Sequence, residues 1–358
     1  MGYNLEDNMA ELKFFSSGST LLDLALGGGW ANRVFNIVGD KSSGKTLLAI
    51  EAFANFKLAF PNGRMKYEEA EAAFDEAFAK QLGFPDEVER SEDLINTVEQ
   101  FKTNVFKFAE KGGPSLYILD SLDALSDAAE VENFEAEMEG KDPKGSYGVG
   151  KAKEMSKMFR QLIKHLSEYD CTLGIISQVR ENVGVTFGDK VSRSGGKALD
   201  FYASQVLMVA DMGKVTKTYN GVIYSIGVNI RSKVKKNKVG LPFREADYPI
   251  IFGYGIDDQV SMLEYMKPPK GGYSEEEHKT YKKQLEKARE LLDYESLAEL
   301  TTTLKKDVTA KWKDIEDTLA PKMQKYDTIC KTTDLTAHAV NTGITDVMIV
   351  KKGEKIGI

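Results

Sequence analysis

Short apolar runs alternate with stretches of helical spacing through the first half of the chain. Residues 34–38 (VFNIV) form an apolar run that ends at a glycine, which is typical of a buried strand. Between residues 46 and 60, apolar side chains recur every three or four positions, which predicts a helix that ends at the Pro-Asn-Gly sequence 61–63. Further strands are predicted at 64–69, 116–119 and 172–177, and further helices at 72–82, 91–110 and 150–168. This alternation predicts an α/β fold, in which right-handed strand–helix–strand units surround a mostly parallel sheet.

The second half of the chain changes to strands and then to long helices. Strands are predicted at 204–210, 222–230 and 249–252, separated by Gly or Asn turns. After the Pro- and Gly-containing sequence 267–272, two S-x-x-E capping boxes begin at Ser274 and Ser296. Apolar positions three to four residues apart predict two amphipathic helices within 274–320, whose apolar stripes we interpret as packing surfaces.

The composition is that of an ordinary globular protein. The 358 residues are 42% hydrophobic and 29% charged, enough apolar material for one large domain and a smaller appendage. No apolar run approaches the ~20 residues that a membrane span requires, and the N-terminus lacks the pattern of a secretory signal. Only Cys171 and Cys330 occur, and neither has a metal-ligand spacing. Two cysteines fit a reducing cytoplasm, and each is expected to be a small buried or neutral side chain.

The charge distribution contains one unusual segment. The formal net charge of −7 gives by itself no indication of nucleic acid. Residues 231–238 (RSKVKKNK), however, hold five cations and no acid. At this point the segment is equally compatible with a solvated basic strand or turn and with a binding surface.

A phosphate-binding motif stands between the first predicted strand and the first predicted helix. The sequence GDKSSGKT matches G-x-x-x-x-G-K-[ST], in which glycines let backbone N–H groups approach phosphate oxygens. The N-terminus of the following helix adds the positive end of a dipole at the same place. Lys45 is expected to reach the β- and γ-phosphates, and the Thr46 hydroxyl to ligate Mg²⁺. The motif assigns these residues to a nucleotide: Gly39, Asp40, Lys41, Ser42, Ser43, Gly44, Lys45 and Thr46.

Acidic residues follow two of the other predicted strands. The apolar strand 116–119 leads directly to Asp120, and in P-loop proteins an acid at this position holds Mg²⁺. Hydrolysis also requires a group that orients or deprotonates the attacking water. Glu68, Glu69 and Glu71 are the candidates, and residue type does not choose among them, nor exclude an acidic helix start.

Several longer segments resemble the RecA family of homologous-recombination strand-exchange ATPases. Residues 17–27 are similar to the segment before the family's P-loop, 69–83 to its acidic motif, and 177–204 to its γ-phosphate sensor and second DNA-binding loop. The similarity covers about residues 15–266. It implies a RecA-like P-loop core, a twisted and mostly parallel sheet flanked by helices, with ATP and Mg²⁺ as cofactors. It also implies assembly of identical subunits on single-stranded DNA, homology search in double-stranded DNA and strand exchange.

The resemblance gives individual residues roles in the ATP site. It selects Glu71 as the water-activating carboxylate and Gln178 as the γ-phosphate sensor. Other residues that we place at the nucleotide are Asp75 and Phe78, beside the adenine, and Phe252 and Gly253. Residues 234–243 resemble the basic strand that reaches a neighbour's ATP, so Lys236 and Lys238 are candidates to act in trans. Two positions apart on a strand, both lysines would point to the same side.

A DNA-binding surface is predicted around two Gly-rich segments, 140–150 and 179–199. Backbone binding requires cations on flexible loops, and stretching DNA requires an apolar wedge between base steps. Two cations on the helix after the first loop match family positions that contact phosphates. The predicted DNA-binding residues are Lys153, Arg160, Arg180, Val183, Phe187, Arg193, Gly195, Gly196 and Lys197, with Val183 and Phe187 as the wedges.

The sequence also departs from the family pattern. So few residues precede the core that the family's N-terminal helix is expected to be missing, and Asp200 and Val206 stand where family members carry Lys and Arg. These differences suggest a diverged relative of bacteriophage type. The chain is predicted to consist of a short N-terminal segment 1–16, an ATPase and DNA-binding core 17–266, a helical appendage or insertion 267–345, and a terminal strand hairpin 346–358.

Three functions are compatible with these features. The leading hypothesis is a strand-exchange recombinase that forms a helical filament. One alternative is a ring-forming motor on the same fold, a helicase or branch-migration ATPase, and another is a DNA-annealing or mediator protein with a P-loop core. The Lys-Asn-Lys sequence 236–238 and the 177–204 match favour the first, while the expected lack of the family's N-terminal helix keeps the last open.

Overall fold

A computed structural model describes residues 11–91, 93–138, 149–181, 191–193 and 196–323. The chain divides into two compact units, residues 1–308 and 309–358. Predictions for the other residues, among them the terminal hairpin 346–358 and Cys330, lie outside the described part. Within it, no helix combines the length and apolar character that crossing a membrane requires. Cys171 is buried, as predicted.

The described chain contains twelve strands and ten α-helices. The strands are β1 (Phe14–Phe15), β2 (Trp30–Ala31), β3 (Val34–Gly39), β4 (Arg64–Glu69), β5 (Glu89–Arg90), β6 (Ser115–Asp120), β7 (Cys171–Glu181), β8 (Val191–Arg193), β9 (Gln205–Tyr219), β10 (Val222–Asn237), β11 (Glu245–Ile251) and β12 (Gly255–Ile256). The helices are α1 (Thr20–Leu26), α2 (Lys45–Ala59), α3 (Glu76–Gln81), α4 (Val98–Ala109), α5 (Ala128–Met138), α6 (Val149–Glu168), α7 (Gly196–Tyr202), α8 (Asp258–Met266), α9 (Glu275–Glu290) and α10 (Tyr294–Leu319).

Ten of the strands form one sheet, in the order β12-β11-β10-β9-β3-β7-β6-β4-β5, with β8 paired to β7 outside this path. The six neighbours from β9 to β5 are parallel, and β10, β11 and β12 continue the sheet in antiparallel pairs. The predicted α/β fold with a mostly parallel sheet is therefore confirmed. In such sheets, ligands bind outside the carboxyl ends of the parallel strands, which here include the ends of β3, β6 and β7.

The centre of the sheet is apolar on both faces. Every residue of β3 and of β6 is buried, which agrees with the continuous apolar runs in the sequence. On one face the core includes apolar side chains of α6, and all five positions predicted from its periodicity are buried: Met155, Met158, Phe159, Leu162 and Leu166. Each such side chain contributes ~1.5–3 kcal/mol when it is fully buried. This packing fixes which face of α6 remains exposed to solvent.

Two predicted helices begin later than their sequence pattern suggested. The helix predicted at 72–82 is wrong in its first part, because α3 begins only at Glu76, with Asp75 as its N-cap. The Glu69 carboxylate instead accepts hydrogen bonds from the N–H groups of Ala73 and Phe74, which holds this stretch as a turn. The helix predicted from residue 91 begins at Val98, where Thr97 forms a capping box that the prediction overlooked.

The strand-rich region was predicted too short and without its helices. The strands β9 and β10 extend well beyond 204–210 and 222–230, and pair with each other up to a turn at Asn220. The short helices α7 and α8 of this region were not predicted, nor were α1 and α5 earlier in the chain. Short helices have few positions in which a 3.6-residue period can be recognised, so tertiary packing decides them.

The two helices predicted within 274–320 are present as α9 and α10. The first capping box is confirmed, since Ser274 accepts from the Glu277 N–H at 3.2 Å and the Glu277 carboxylate accepts from the Ser274 N–H at 2.8 Å. The second is wrong, because α10 begins at Tyr294 and the Asp293 carboxylate accepts from the Ser296 N–H at 3.0 Å. Apolar residues of both helices are buried within the first unit, as a packing stripe requires: Leu285, Ala288, Leu300, Leu304 and Val308.

Candidate functional site

The P-loop connects the end of β3 to the start of α2. A Cβ atom at Gly39 would lie 2.5 Å from the carbonyl oxygen of Val209. Gly44 has a φ of +84°, and a Cβ there would lie 2.8 Å from Cδ1 of Ile250. Gly39 is therefore required by the space around it, and Gly44 by its left-handed backbone conformation. Nζ of the buried Lys45 lies 2.5 Å from the carbonyl oxygen of Asp40, so this lysine folds back over its own loop.

The two predicted magnesium ligands are in direct contact. Oγ1 of Thr46 donates to Oδ2 of Asp120 at 2.7 Å, and the Tyr67 hydroxyl donates to the same oxygen at 3.0 Å. Burial raises the pKa of Asp120, and these two hydrogen bonds act in the opposite direction. Burial likewise lowers the pKa of Lys45, against the attraction of Asp120 and Glu71. A hydroxyl and a carboxylate beside a phosphate loop are oxygen donors of the kind that Mg²⁺ prefers, so these residues fit the metal.

The three candidate carboxylates at the end of β4 have different surroundings. Glu68 is fully buried, where it accepts from Ser91 at 3.0 Å, from Asn104 at 2.7 Å and from the Tyr117 hydroxyl. Glu69 is occupied in holding the turn before α3. Glu71 is exposed, and its Oε1 accepts from the Ser121 hydroxyl and, at 2.9 Å, from Nε2 of Gln178. The placement therefore favours Glu71 as the group available to a bound water.

Gln178 lies between the P-loop and the strand end at Asp120. In the pairing of β3 with β7, Gln178 is the partner of Gly39, so the predicted γ-phosphate sensor stands beside the first residue of the P-loop. Its N–H donates to Oδ2 of Asp123 at 2.6 Å. Sequence reasoning missed Asp123, although an acid three residues after Asp120 was a visible signal. The carboxyl edge of the sheet thus brings together Gly39, Lys45, Thr46, Glu71, Asp120 and Gln178.

The residues predicted around the base lie on two further segments. The Asp75 carboxylate accepts from the Phe78 N–H at 3.0 Å, which caps α3, and the Phe78 side chain is exposed. Phe252 and Gly253 form the turn between β11 and β12, where Gly253 has a φ of +74°. Because β11 runs in the same direction as β3, this turn stands at the carboxyl edge of the sheet. Exposed aromatic rings on both segments are available to a flat ligand.

The two lysines predicted to act in trans face the end of α7. Nζ of Lys236 lies 2.5 Å from the carbonyl oxygen of Asp200 and 2.8 Å from that of Phe201. Nζ of Lys238 lies 3.4 Å from the same Phe201 oxygen. The two side chains therefore do point to one side, as their spacing predicts. In the single protomer they neutralise the negative end of a helix.

The exposed face of α6 carries a line of cations. Lys153 and Arg160, both exposed, are seven residues apart and so lie on the same side of the helix. Lys157 and Lys164 continue this side and are also exposed. Sequence reasoning missed these two, although a spacing of three to four residues from Lys153 and Arg160 would have indicated them. We call these four residues the α6 basic line.

The second predicted DNA segment follows the strand that carries Gln178. There β8 pairs antiparallel with β7, with Val179 opposite Arg193. Only backbone is described for Arg180, Arg193, Gly196 and Lys197, of which Gly196 and Lys197 begin α7. The predicted wedges Val183 and Phe187, and also Gly195, lie outside the described residues.

Comparison with known proteins decides the family. A family model of the RecA N-terminal domain matches residues 3–257. The chain belongs to the RecA family. Three curated relatives are each named Protein RecA. That of Thermus thermophilus is 38% identical over 254 residues, 69% of each chain. That of Streptomyces venezuelae is 35% identical over 263 residues, 71% of this chain and 64% of the relative. That of Borrelia hermsii is 37% identical over 257 residues, 71% of this chain and 68% of the relative.

Membership has consequences at the level of the RecA family. The matched region spans about two thirds of each relative's length. The region matched by the family model contains the P-loop, Glu71, Gln178 and both lysines, and it ends at residue 257, before α8. The family binds ATP with Mg²⁺, hydrolyses ATP in dependence on DNA, and forms filaments. The match to the family model does not extend beyond residue 257.

Proposed function

We propose that the chain is an ATP-dependent recombinase of the cytoplasm that assembles on single-stranded DNA, pairs it with homologous duplex DNA and exchanges strands. One observation carries this proposal: Gln178, which touches Glu71 and pairs with Gly39, lies on the strand that leads directly into the predicted DNA segment. A movement of Gln178 on binding or loss of the γ-phosphate would therefore displace residue 179, the first residue of the predicted DNA segment, through the peptide unit that joins them. Such a connection suits an enzyme in which nucleotide and DNA control each other.

In the proposed reaction, the chain's own residues bind ATP and activate a water. The P-loop N–H groups and Lys45 hold the phosphates, and Asp75, Phe78, Phe252 and Gly253 surround the base. Thr46 and Asp120 would hold Mg²⁺, which neutralises developing charge on the phosphate oxygens. Glu71 accepts the proton of the attacking water, while Gln178 holds the Glu71 carboxylate in place at 2.9 Å.

Assembly of identical subunits completes the site in this proposal. Lys236 and Lys238 from one protomer would meet the triphosphate of the next and stabilise the transition state as an arginine finger does, a contribution of ~10³–10⁵ in rate. An isolated protomer would then hydrolyse ATP slowly. The family match over both the P-loop and these lysines supports this assignment.

Negative-stain images of the protein with single-stranded DNA and a non-hydrolysable ATP analogue test the proposal. Helical filaments are expected. Closed rings would instead support a ring-forming motor, and amorphous coating would support an annealing or mediator protein. The Lys45→Ala variant, imaged in parallel, should form none of the ATP-dependent assemblies. Joint molecules between circular single strands and homologous linear duplex, absent with heterologous duplex, would then establish strand exchange.

A further inference from the structure

Arg289 connects the helix α9 to the core through a two-fold ion pair. Its Nη1 lies 2.8 Å from Oδ2 of Asp257, and its Nη2 lies 2.7 Å from Oδ1. The same Nη2 donates to Oε1 of Gln259 at 2.5 Å, and the guanidinium stands over the ring of Tyr254 at 5.9 Å from its centroid. Paired parallel hydrogen bonds of this kind fix the geometry of both partners, which a lysine cannot do.

Asp257 fixes three elements of the core at once. Its carboxylate accepts from the Val260 N–H at 3.1 Å and so caps α8, while its own N–H donates to the carbonyl oxygen of Pro249 in β11 at 2.9 Å. It directly follows β12. Its side chain is only 7% exposed. A carboxylate this deeply buried requires a cationic partner, because a buried charge left alone is strongly unfavourable.

The elements that Asp257 joins form one wall of the P-loop region. Ile250 of β11 lies against Gly44, where a Cβ would come within 2.8 Å of its Cδ1. Ile256 of β12 donates its N–H to Oε1 of Glu51, on α2, at 3.1 Å. The turn between these strands, residues 252–254, therefore stands beside the helix that begins at the P-loop, at the carboxyl edge of the sheet where ligands bind.

We propose that Arg289 is a positioning residue for nucleotide binding. By holding Asp257, it keeps the 252–254 turn beside α2 in the arrangement that accepts the nucleotide, so that α9 sets the affinity of the core for ATP. Arg289 lies beyond the family match, which ends at residue 257. The inference rests on the proposed nucleotide site and adds to it a control from outside the RecA core.

Calorimetric titration of the full-length protein with a non-hydrolysable ATP analogue tests this role. Arg289→Ala should raise the apparent Kd on the order of 10-fold, as expected if the turn holds its binding-competent arrangement only about a tenth of the time. Arg289→Lys keeps the charge without the paired hydrogen bonds and should give an intermediate Kd. The matched control is Thr301→Val, which removes the hydroxyl that accepts from Nε2 of Gln259 at 2.9 Å but leaves Arg289 paired with Asp257. Its Kd should stay within about two-fold of the wild type.

Hydrogen exchange without nucleotide provides a second measurement. The N–H groups of Phe252 and Tyr254, which donate to Ile226 and Ile251, should exchange faster in Arg289→Ala than in Thr301→Val. If Arg289→Ala fails to fold, the same two measurements on Arg289→Lys decide. Unchanged affinity and unchanged exchange in a folded Arg289 variant would overturn the inference while leaving the nucleotide site intact. A wild-type protein that does not bind the analogue would overturn the proposed function, and this inference with it.

Discussion

Nζ of Lys236 lies 2.5 Å from the main-chain carbonyl oxygen of Asp200, in the last turn of α7. Two of the three N–H donors of this ammonium group are engaged at the end of α7, on the carbonyl oxygens of Asp200 and Phe201, so a phosphate of a neighbour's ATP would compete with these carbonyls for the lysine. The helix end offers only about half an elementary negative charge, and a triphosphate offers several full charges, so the triphosphate is the stronger partner for the lysine. Because the predicted DNA segment 179–199 runs into the start of α7, DNA binding and release of Lys236 would act on the same short helix.

Mixing experiments should show that the two lysines act in trans. Lys236→Ala/Lys238→Ala protein and Glu71→Gln protein should each hydrolyse ATP very slowly with single-stranded DNA. A mixture should recover activity, because at some interfaces intact lysines face an intact Glu71. The measurement is phosphate release against mixing ratio. No recovery despite demonstrated co-assembly would mean that the lysines act within their own protomer or only on DNA.

Lys45→Ala should abolish ATP binding. Lys45 is the cation folded over the P-loop, where it donates to the carbonyl oxygen of Asp40, so its replacement removes the ammonium group that the loop itself offers to the phosphates. Calorimetry on the purified variant measures this, with circular dichroism to show that the fold persists. The exposed loop residue Lys41, changed to Ala, provides the comparison and should retain measurable affinity. ATP affinity of wild-type strength in Lys45→Ala would contradict the assignment of the P-loop.

Glu71→Gln should retain ATP and DNA binding but lower turnover by at least ~10²-fold, since the amide cannot accept the proton of the attacking water. Glu69→Gln should lose far less, because its side chain holds the turn before α3 and pairs with Arg90 at 3.6 Å. Steady-state phosphate release under saturating DNA compares the two. If Glu69→Gln were the inactive variant, residues 69–83 would be aligned out of register with the family's acidic motif.

The sequence was sufficient to predict those parts of the site whose residues are adjacent in the chain. The P-loop and Asp120 could be placed in one site because each directly follows an apolar strand, and parallel strands end at one edge. The choice of Glu71 could not be derived from composition, because it depends on which carboxylates already have partners in the fold. Glu68 is buried and accepts from Asn104, and Glu69 accepts from the turn before α3. Arg289 was invisible for another reason: its partner Asp257 is 32 positions away, and neither residue belongs to a motif.

The stability of the protein should depend on pH through Glu51. This carboxylate is mostly buried, and burial raises its pKa above the ordinary value of 4.5, with the Asp258 charge acting in the same direction. The folded protein thus holds the proton more tightly than the unfolded chain. The resulting stabilisation is complete below the unfolded pKa and is lost as the pH rises through the folded pKa. Glu51→Gln should therefore match the wild type in Tm in acid and exceed it increasingly toward neutral pH. A difference in Tm that is independent of pH would contradict this explanation.

The α6 basic line should contribute to single-stranded DNA binding through phosphate contacts. Its side chains are exposed because the opposite face of α6, from Met155 to Leu166, is packed into the core. Each contact between a cation of the protein and a phosphate of a single strand releases about 0.7 counterion on binding. When one contact is lost, the slope of log affinity against log salt concentration therefore becomes shallower by about 0.7. Fluorescence anisotropy with labelled oligonucleotide at several salt concentrations measures this slope for Arg160→Ala and Lys153→Ala.

Lys279→Ala is the matched control for that measurement, since Lys279 is an exposed cation on α9, outside the predicted DNA surface. It removes the same charge from the protein as a whole and should leave the slope unchanged. Equal flattening in all three variants would mean that only net charge matters, and would contradict a localised contact. Unchanged slopes in both α6 variants would remove Lys153 and Arg160 from the DNA surface, and the segment after Gln178 would then have to supply the phosphate contacts alone.

Because Lys157 and Lys164 share the exposed face, Arg160→Ala/Lys164→Ala should change the slope about twice as much as Arg160→Ala does, if the DNA strand follows the helix. If the strand crosses the helix at one point, the double variant should lose no more than Arg160→Ala.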